Sequence, residues 1–152
     1  MTMRIEEVIK QKVPFSDQRQ RAMVNLIYTC NWLMGEHKKA FKPYGITVQQ
    51  FNVLRILRGQ HPQPISTSDI RERMLDKMSD VSRIIDRLVK KNLVIRKTCK
   101  SDKRLVDLLI TDTGLDLLAA IDRDQITSLG LFSHLSQEEL ETLNDLLDKV
   151  RG

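Results

Sequence analysis

Between Asp80 and Lys91 the apolar residues Val81, Ile84, Ile85, Leu88 and Val89 recur at i, i+3, i+4, i+7 and i+8, the spacing of one buried helical face. That pattern predicts an amphipathic helix over Lys77–Asn92, whose opposite face carries Ser79, Ser82, Arg83, Arg87 and Lys90. A shorter helical pattern from Ser66 precedes it, and two branched apolar runs around a polar, basic tip, Thr98 to Arg104, follow it. The order is helix, turn, helix, hairpin. Ser79, Arg83, Arg87 and Lys90 fall along one exposed stripe. If such a helix lies in the major groove of double-stranded DNA, its early residues face base edges and its cations face phosphates.

Composition sets the limits around this stretch. With 152 residues, 41% of them apolar and 30% charged, the chain suits a single domain with a real core. An aromatic content of only 5%, beside abundant Leu, Ile, Lys, Glu and Asp, favours a mostly helical fold over an all-β one. No apolar run reaches the roughly 18 to 20 residues of a membrane span, and charges interrupt Met1 to Lys12, where a signal peptide needs a continuous apolar core. A cytoplasmic protein with no membrane partner is expected. Cys30 and Cys99 lie far apart without metal-ligand spacing, which argues against a disulfide framework or a zinc site.

Charge is unevenly distributed. Residues 1–65 carry ten lysines and arginines against four carboxylates (+6), residues 66–104 twelve against six (+6), and residues 105–152 three against ten (−7). A basic body joined to an acidic last third suits a protein that meets a polyanion at one end.

Along the chain, Ile5, Val8, Ile9 and Val13 are loosely helical before Pro14, as a short amphipathic helix or an arm would be. From Asp17 to about Phe41 a long helix is expected, with Asp17 or Ser16 as its cap. Its apolar stripe is Met23, Leu26, Ile27, Cys30, Leu33, Met34, His37 and Phe41, on which Cys30 reads as a small buried hydrophobe. Lys42-Pro43-Tyr44-Gly45 ends it, and Thr47 to Gln50 has the form of a capping box for a helix through Arg58 with Phe51, Val53, Leu54 and Leu57 inward. Gly59 to Pro64 reads as a turn, and Ile65 as a single-residue strand against the later hairpin. Ser66 to Asp69 opens a short helix to about Leu75, Asp76 is a candidate cap for the next, and Asn92 suits a left-handed helix end. Leu93–Lys97 and Leu105–Ile110 form the hairpin. Arg96, Lys97, Lys100, Lys103 and Arg104 cluster at and beside its tip, where they could reach a minor groove or the backbone. Thr111 caps a following helix with Leu115, Leu118, Ala119, Ile121, Asp122 and Ile126. Ser136 to Glu139 is a full capping box for a last helix with Leu140, Leu143, Leu146, Leu147 and Val150. So wide an apolar stripe on that last helix calls for a partner, which a second copy of the chain would supply.

The runs Val81-Ser82-Arg83-Ile84-Ile85-Asp86-Arg87-Leu88, Lys90-Lys91-Asn92-Leu93-Val94-Ile95-Arg96, Asp102-Lys103-Arg104 and Leu109-Ile110-Thr111-Asp112-Thr113-Gly114 resemble the signature of the MarR (multiple antibiotic resistance regulator) family of bacterial transcription factors. The resemblance covers nearly the whole chain and is most specific from Ile70 to Gly114. It implies a homodimeric winged helix-turn-helix protein, mostly α with a small antiparallel wing, that binds a pseudo-palindromic operator. Such proteins usually repress, and are often released by a small-molecule effector or an oxidant. Residues 43–111 would form the winged helix, and residues 1–42 and 112–152 the helical dimerisation part.

Carried over by position, the resemblance assigns Lys77, Ser79, Asp80, Ser82, Arg83 and Arg87 to the recognition helix. Lys100, Asp102, Lys103 and Arg104 fall in the wing, where the arginine enters the minor groove and the aspartate holds it. Both roles have a physical basis in the negative potential of a narrow groove and a charge-assisted hydrogen bond. Ser66, Thr67 and Ser68 are candidates for backbone contact. Three departures stand out. Asn92 replaces a usual glycine. Asp76 stands where the family has an apolar residue, so Leu75 or Met78 is expected to fill that gap. Asp80 either caps the helix or accepts from a cytosine amino group.

Catalytic motifs are absent: His37, His61 and His134 are scattered, and no nucleophile elbow, metalloprotease motif or phosphate loop occurs. Neither an enzyme nor a bound cofactor or metal is expected. In the implied architecture an effector would lie between the dimer arm and the winged helix, with Tyr28, Trp32, His37, Tyr44 and Phe51 as candidate lining residues, although core packing explains them equally well. Two other readings are a winged-helix module that binds protein and a cysteine-based redox regulator. For the latter, Cys99 among cations is a better thiolate than Cys30.

Overall fold

A computed structural model describes residues 3–98, 106–124 and 130–152, mostly helical with one two-stranded antiparallel hairpin. The chain divides into two compact units, Met1–Val48 and Gln49–Gly152.

In the first unit a short helix, α1 (Ile5–Val8), precedes the long α2 (Gln18–Phe41). Of the two cap candidates it is Asp17 whose carboxylate accepts from the Arg19 and Gln20 amides, at 2.8 and 2.9 Å, while Ser16 bonds the Gln20 side chain. Lys38 and Lys39 in the last turn suit the negative end of the helix dipole. A 3₁₀ turn (Lys42–Tyr44) follows, and Gly45 at φ +66° ends it in the left-handed region, where the lack of a Cβ matters. Arg21 ties α2 to α1 by donating to Glu6 at 2.6 Å. The apolar stripe of α2 forms as its periodicity dictates, but Met23, Leu26, Ile27 and Met34 remain exposed and only Phe41 is fully buried. Cys30, expected as a buried hydrophobe, is exposed as well. Its position on the apolar face is right, but the described residues of this unit supply no cover for that face.

The second unit is built on α3 (Val48–Gln60), which buries Val53, Leu54 and Leu57 together with Gln50 and leaves Phe51 half-buried beneath the Arg55 guanidinium. The helix runs two residues past the expected end at Arg58, through Gly59 and Gln60, and the His61 amide still donates to the Leu57 carbonyl at 3.0 Å. Ile65 exchanges two backbone hydrogen bonds with Leu108, which makes it the one-residue strand its sequence suggests. Ser66 then caps α4 (Thr67–Arg73) in a reciprocal box with Asp69.

The next helix, α5, spans Val81–Lys90 rather than beginning at Lys77. Asp80, not Asp76, is its cap, accepting from the Arg83 amide at 3.1 Å. Val81, Ile85 and Leu88 are buried against the unit's core, a burial worth about 1.5–3 kcal/mol for each such side chain. Asn92, at φ +56°, takes the left-handed turn out of the helix. Strand β1 (Val94–Thr98) pairs with β2 (Val106–Ile110) in the register Val94↔Ile110 to Thr98↔Val106.

Thr111 caps α6 (Asp112–Arg123), and Gly114 sits where a Cβ would come within 2.5 Å of the Leu93 carbonyl oxygen, so the helix start lies directly on the hairpin's root. Arg55 and Arg58 of α3 converge on Asp122 of α6 at 3.4 and 2.5 Å. Ile126, expected in this helix, lies outside the described residues. Helix α7 (Gln137–Arg151) opens with the full Ser136–Glu139 box and keeps Leu143, Leu146 and Val150 exposed.

Candidate nucleic-acid interface

Helix α5 separates its two faces sharply. Val81, Ile85 and Leu88 point into the core, while Ser82, Arg83, Asp86, Arg87 and Lys90 are all exposed. Of the residues expected on this helix, Ser82, Arg83 and Arg87 lie on it, Asp80 is its cap, and Lys77 and Ser79 belong to the turn before it. The early start was expected because Asp76 can cap as well as Asp80 can. Asp76 instead organises the turn: it accepts from the Met78 amide at 3.0 Å and the Ser79 hydroxyl at 2.7 Å. With Gln49 added, these bonds hold the Asp76 carboxyl below the ordinary carboxylate range, the Ser79 hydroxyl contributing most.

Leu75 and Met78 do not fill the gap opposite Asp76, contrary to expectation. Met74, 2% exposed, occupies the core there, whereas Leu75 is 87% and Met78 93% exposed. Asp76 meets its hydrogen-bonding needs at the surface, so no apolar filler is drawn in. The Leu75 amide donates to the Asn52 side chain of α3 at 2.9 Å, and Lys77 donates to the Glu72 carbonyl oxygen.

At the surface of the helix, Arg96 of β1 pairs with Asp86 of α5 at 2.5 Å. Both side chains are about half exposed, so the pair adds little stability. The wing tip with Cys99, Lys100, Asp102, Lys103 and Arg104 lies outside the described residues. At the start of α4, Ser66 and Thr67 are half-buried and Ser68 exposed, and the Ser66 hydroxyl is engaged with Asp69 and Ser68.

The expected effector residues do not form one group. Tyr28 and Trp32 line a half-open cleft of about 640 Å³ within the first unit, together with Met3, Arg4, Ile5, Val8, Arg21, Asn25 and Thr29. Arg21, Asn25, Tyr28, Thr29 and Trp32 recur at i, i+4, i+7, i+8 and i+11, a helical spacing that could have marked this face in the sequence. His37, Tyr44 and Phe51 are not part of it. The His37 ring lies 5.9 Å from that of Phe41, and partial burial pulls its pKa below the ordinary imidazole value. Among the described residues no group of three or more His, Cys, Asp or Glu side chains is placed to hold a metal ion, and no helix is long and apolar enough to cross a membrane.

A short helix, a tight turn, a second helix with one polar and cationic face, and a hairpin directly after it define a winged helix-turn-helix regulator. The family model for the MarR family matches residues 46–106. The chain is 31% identical over 144 residues to the HTH-type transcriptional regulator MgrA of Staphylococcus aureus, covering 93% of this chain and 89% of that protein. It is 30% identical over 113 residues to the HTH-type transcriptional regulator MhqR of Bacillus subtilis, covering 74% and 77% respectively. The crystal structure of a MarR transcription factor from Planctomyces limnophilus is similar at a TM-score of 0.67 and 31% identity, over 89% of this chain and 98% of that one. The chain belongs to the MarR family, and it is a DNA-binding transcription regulator rather than an enzyme.

Proposed function

We propose that the protein is a cytoplasmic, homodimeric repressor that binds a pseudo-palindromic operator and is released by a small-molecule effector. The observation that carries this reading is the exposed face of α5, where Ser82 and Arg83 stand in the first turn and Arg87 and Lys90 farther along. Ser82 and Arg83 reach base edges, Arg83 being suited to a bidentate contact with guanine, and Arg87, Lys90 and Lys77 meet phosphates. Ser66, Thr67 and Ser68 lie along the backbone. Asp102 and Arg104 act at the wing, the arginine in the minor groove and the aspartate fixing it.

Two-fold symmetry in the operator requires two copies of α5, and the uncovered apolar faces of α2 and α7 supply the surface for association. The effector is assigned to the α1–α2 cleft beside Tyr28 and Trp32, with its mixed apolar and polar lining.

Selection of genomic fragments by the purified protein tests the reading. One short inverted repeat, bound far more tightly than scrambled sequence, is expected. A dimer that neutralises about eight phosphates loses affinity with salt at a log–log slope of roughly −7. Arg83→Ala and Arg104→Ala should each remove most of the affinity. Recovery of no common sequence would refute specific repression.

A further inference from the structure

The turn between α4 and α5 holds two large apolar side chains, Leu75 and Met78, almost wholly in water, while the residues around them are firmly tied. Met74 is buried beneath them. The Leu75 amide is bonded to Asn52, and Asp76 is bonded to Met78, Ser79 and Gln49. Gln49 and Asn52 stand one turn apart on α3, so a single helical face pins the whole turn. A loop fixed by four such bonds does not collapse to hide its apolar tips, and exposing them has a cost that folding alone does not explain.

The surroundings identify what they would meet. Residues 71–90 carry six lysines and arginines against four carboxylates, and of these carboxylates Asp86 is neutralised by Arg96 while Asp76 and Asp80 accept hydrogen bonds from the turn and the Arg83 amide. The cations Lys77, Arg83 and Arg87 remain exposed around the pair. An apolar pair set in a cationic surface, with Met78 two residues ahead of the cap of α5, matches a polyanion that bears methyl groups. That is the floor of the major groove at thymine.

We propose that Leu75 and Met78 are specificity-determining residues that contact thymine C5-methyl groups next to the bases read by Ser82 and Arg83. The proposal rests on the DNA-binding reading above and adds to it a preference that hydrogen bonding cannot supply. Methionine, unbranched and polarizable, adapts to the methyl's position, and leucine supplies the fixed part of the surface.

The test uses the full-length protein and the duplex it enriches from a random-sequence pool. That duplex is resynthesised with deoxyuridine in place of thymidine, one position at a time, which removes only the methyl. At one or two positions in each half-site the wild-type protein should bind about fourfold more weakly for each methyl lost. Leu75→Ala combined with Met78→Ala should bind the thymidine and deoxyuridine duplexes equally, with an unchanged salt slope, and both side chains are exposed enough for the variant to fold. Arg83→Ala should weaken binding but keep the thymidine preference. Wild-type binding that ignores every methyl, or a double variant that keeps the preference, overturns the proposal alone and leaves the pair as a surface for a protein partner. Failure of the wild-type chain to enrich any duplex overturns the DNA-binding reading and this proposal together.

Discussion

In α5, Val81, Ile85 and Leu88 are all buried within their own chain, whereas in α2 the residues Met23, Leu26, Ile27, Cys30 and Met34, at equally helical spacing, stay exposed. Both helices carry an apolar stripe, far more sharply segregated in α5 than in α2, and the two stripes have opposite fates. Helix α5 packs its buried side against α4 and the hairpin. The long helix presents an apolar face with no cover among the described residues of its unit, and α7 repeats the condition with Leu143, Leu146 and Val150. The contrast separates a helix whose apolar side is filled by its own chain from helices whose apolar sides are open, and the open faces are where the proposed dimer would associate.

The contrast is broken most directly in the core. Leu88→Ala removes a fully buried side chain and should lower unfolding stability by about 2–5 kcal/mol. Urea midpoints measured at two protein concentrations check it. The loss from Leu88→Ala should be the same at both if this core is closed within one chain.

The next effect belongs to the open faces. Ile27→Glu or Leu146→Glu places a carboxylate on a surface that is exposed in the single chain, so an isolated chain should tolerate it. In a dimer the same charge is buried without a partner and should weaken association by roughly 2 kcal/mol, about thirtyfold. Sedimentation equilibrium reads this directly. An unchanged association constant for both variants would remove these faces from the interface.

A third test sharpens where α5 starts. Asp80→Ala should cost about 1 kcal/mol through loss of the cap, while Asp80→Asn, an equally good cap, should cost almost nothing. Thermal unfolding of the two variants compares them. Equal losses would mean that the charge, and not the hydrogen bond to Arg83, fixes the helix start.

These residues also mark how far the sequence could be read. Ile65 as a lone strand residue, Asn92 as a left-handed stop and the boxes at Ser66 and Ser136 were legible because each depends on a few neighbouring residues. The start of α5 was not. Asp76 and Asp80 both satisfy the local rule, and the choice between them was made by Asn52 and Gln49, more than twenty residues away in the chain. The exposure of Leu75 and Met78 follows from the same long-range ties. The exposure of Cys30 has a different cause. Periodicity identifies which face of a helix is apolar, but not whether its own chain covers that face. The exposed polar face of α5 was legible through Ser82, Arg83 and Arg87, and the α1–α2 cleft only through Tyr28 and Trp32, since its far wall comes from a four-residue helix with little pattern of its own.

The smallest expected effect concerns pH and bears on the open face from another side. His37 lies on the stripe of α2 with Cys30, Met34 and Phe41, and desolvation lowers its pKa below the ordinary 6.5. Above 6.5 neither the folded nor the unfolded chain binds this proton, so the group is neutral to stability. Below it the unfolded chain takes up the proton first, and stability falls until the folded form is protonated in turn. Glu6 and Asp76, lowered from 4.5 and 3.8, stabilise the folded form above those values and lose that contribution only as pH falls below them, outside this window. Melting temperatures between about pH 7.5 and about pH 5.5 should therefore decline slightly in the wild type and less in His37→Gln. If a second chain covers the stripe, His37 is desolvated further on association, and the decline should steepen at high protein concentration. A decline with the same slope at every concentration would mean that the burial of His37 is complete within one chain, and the open face of α2 would then end short of it.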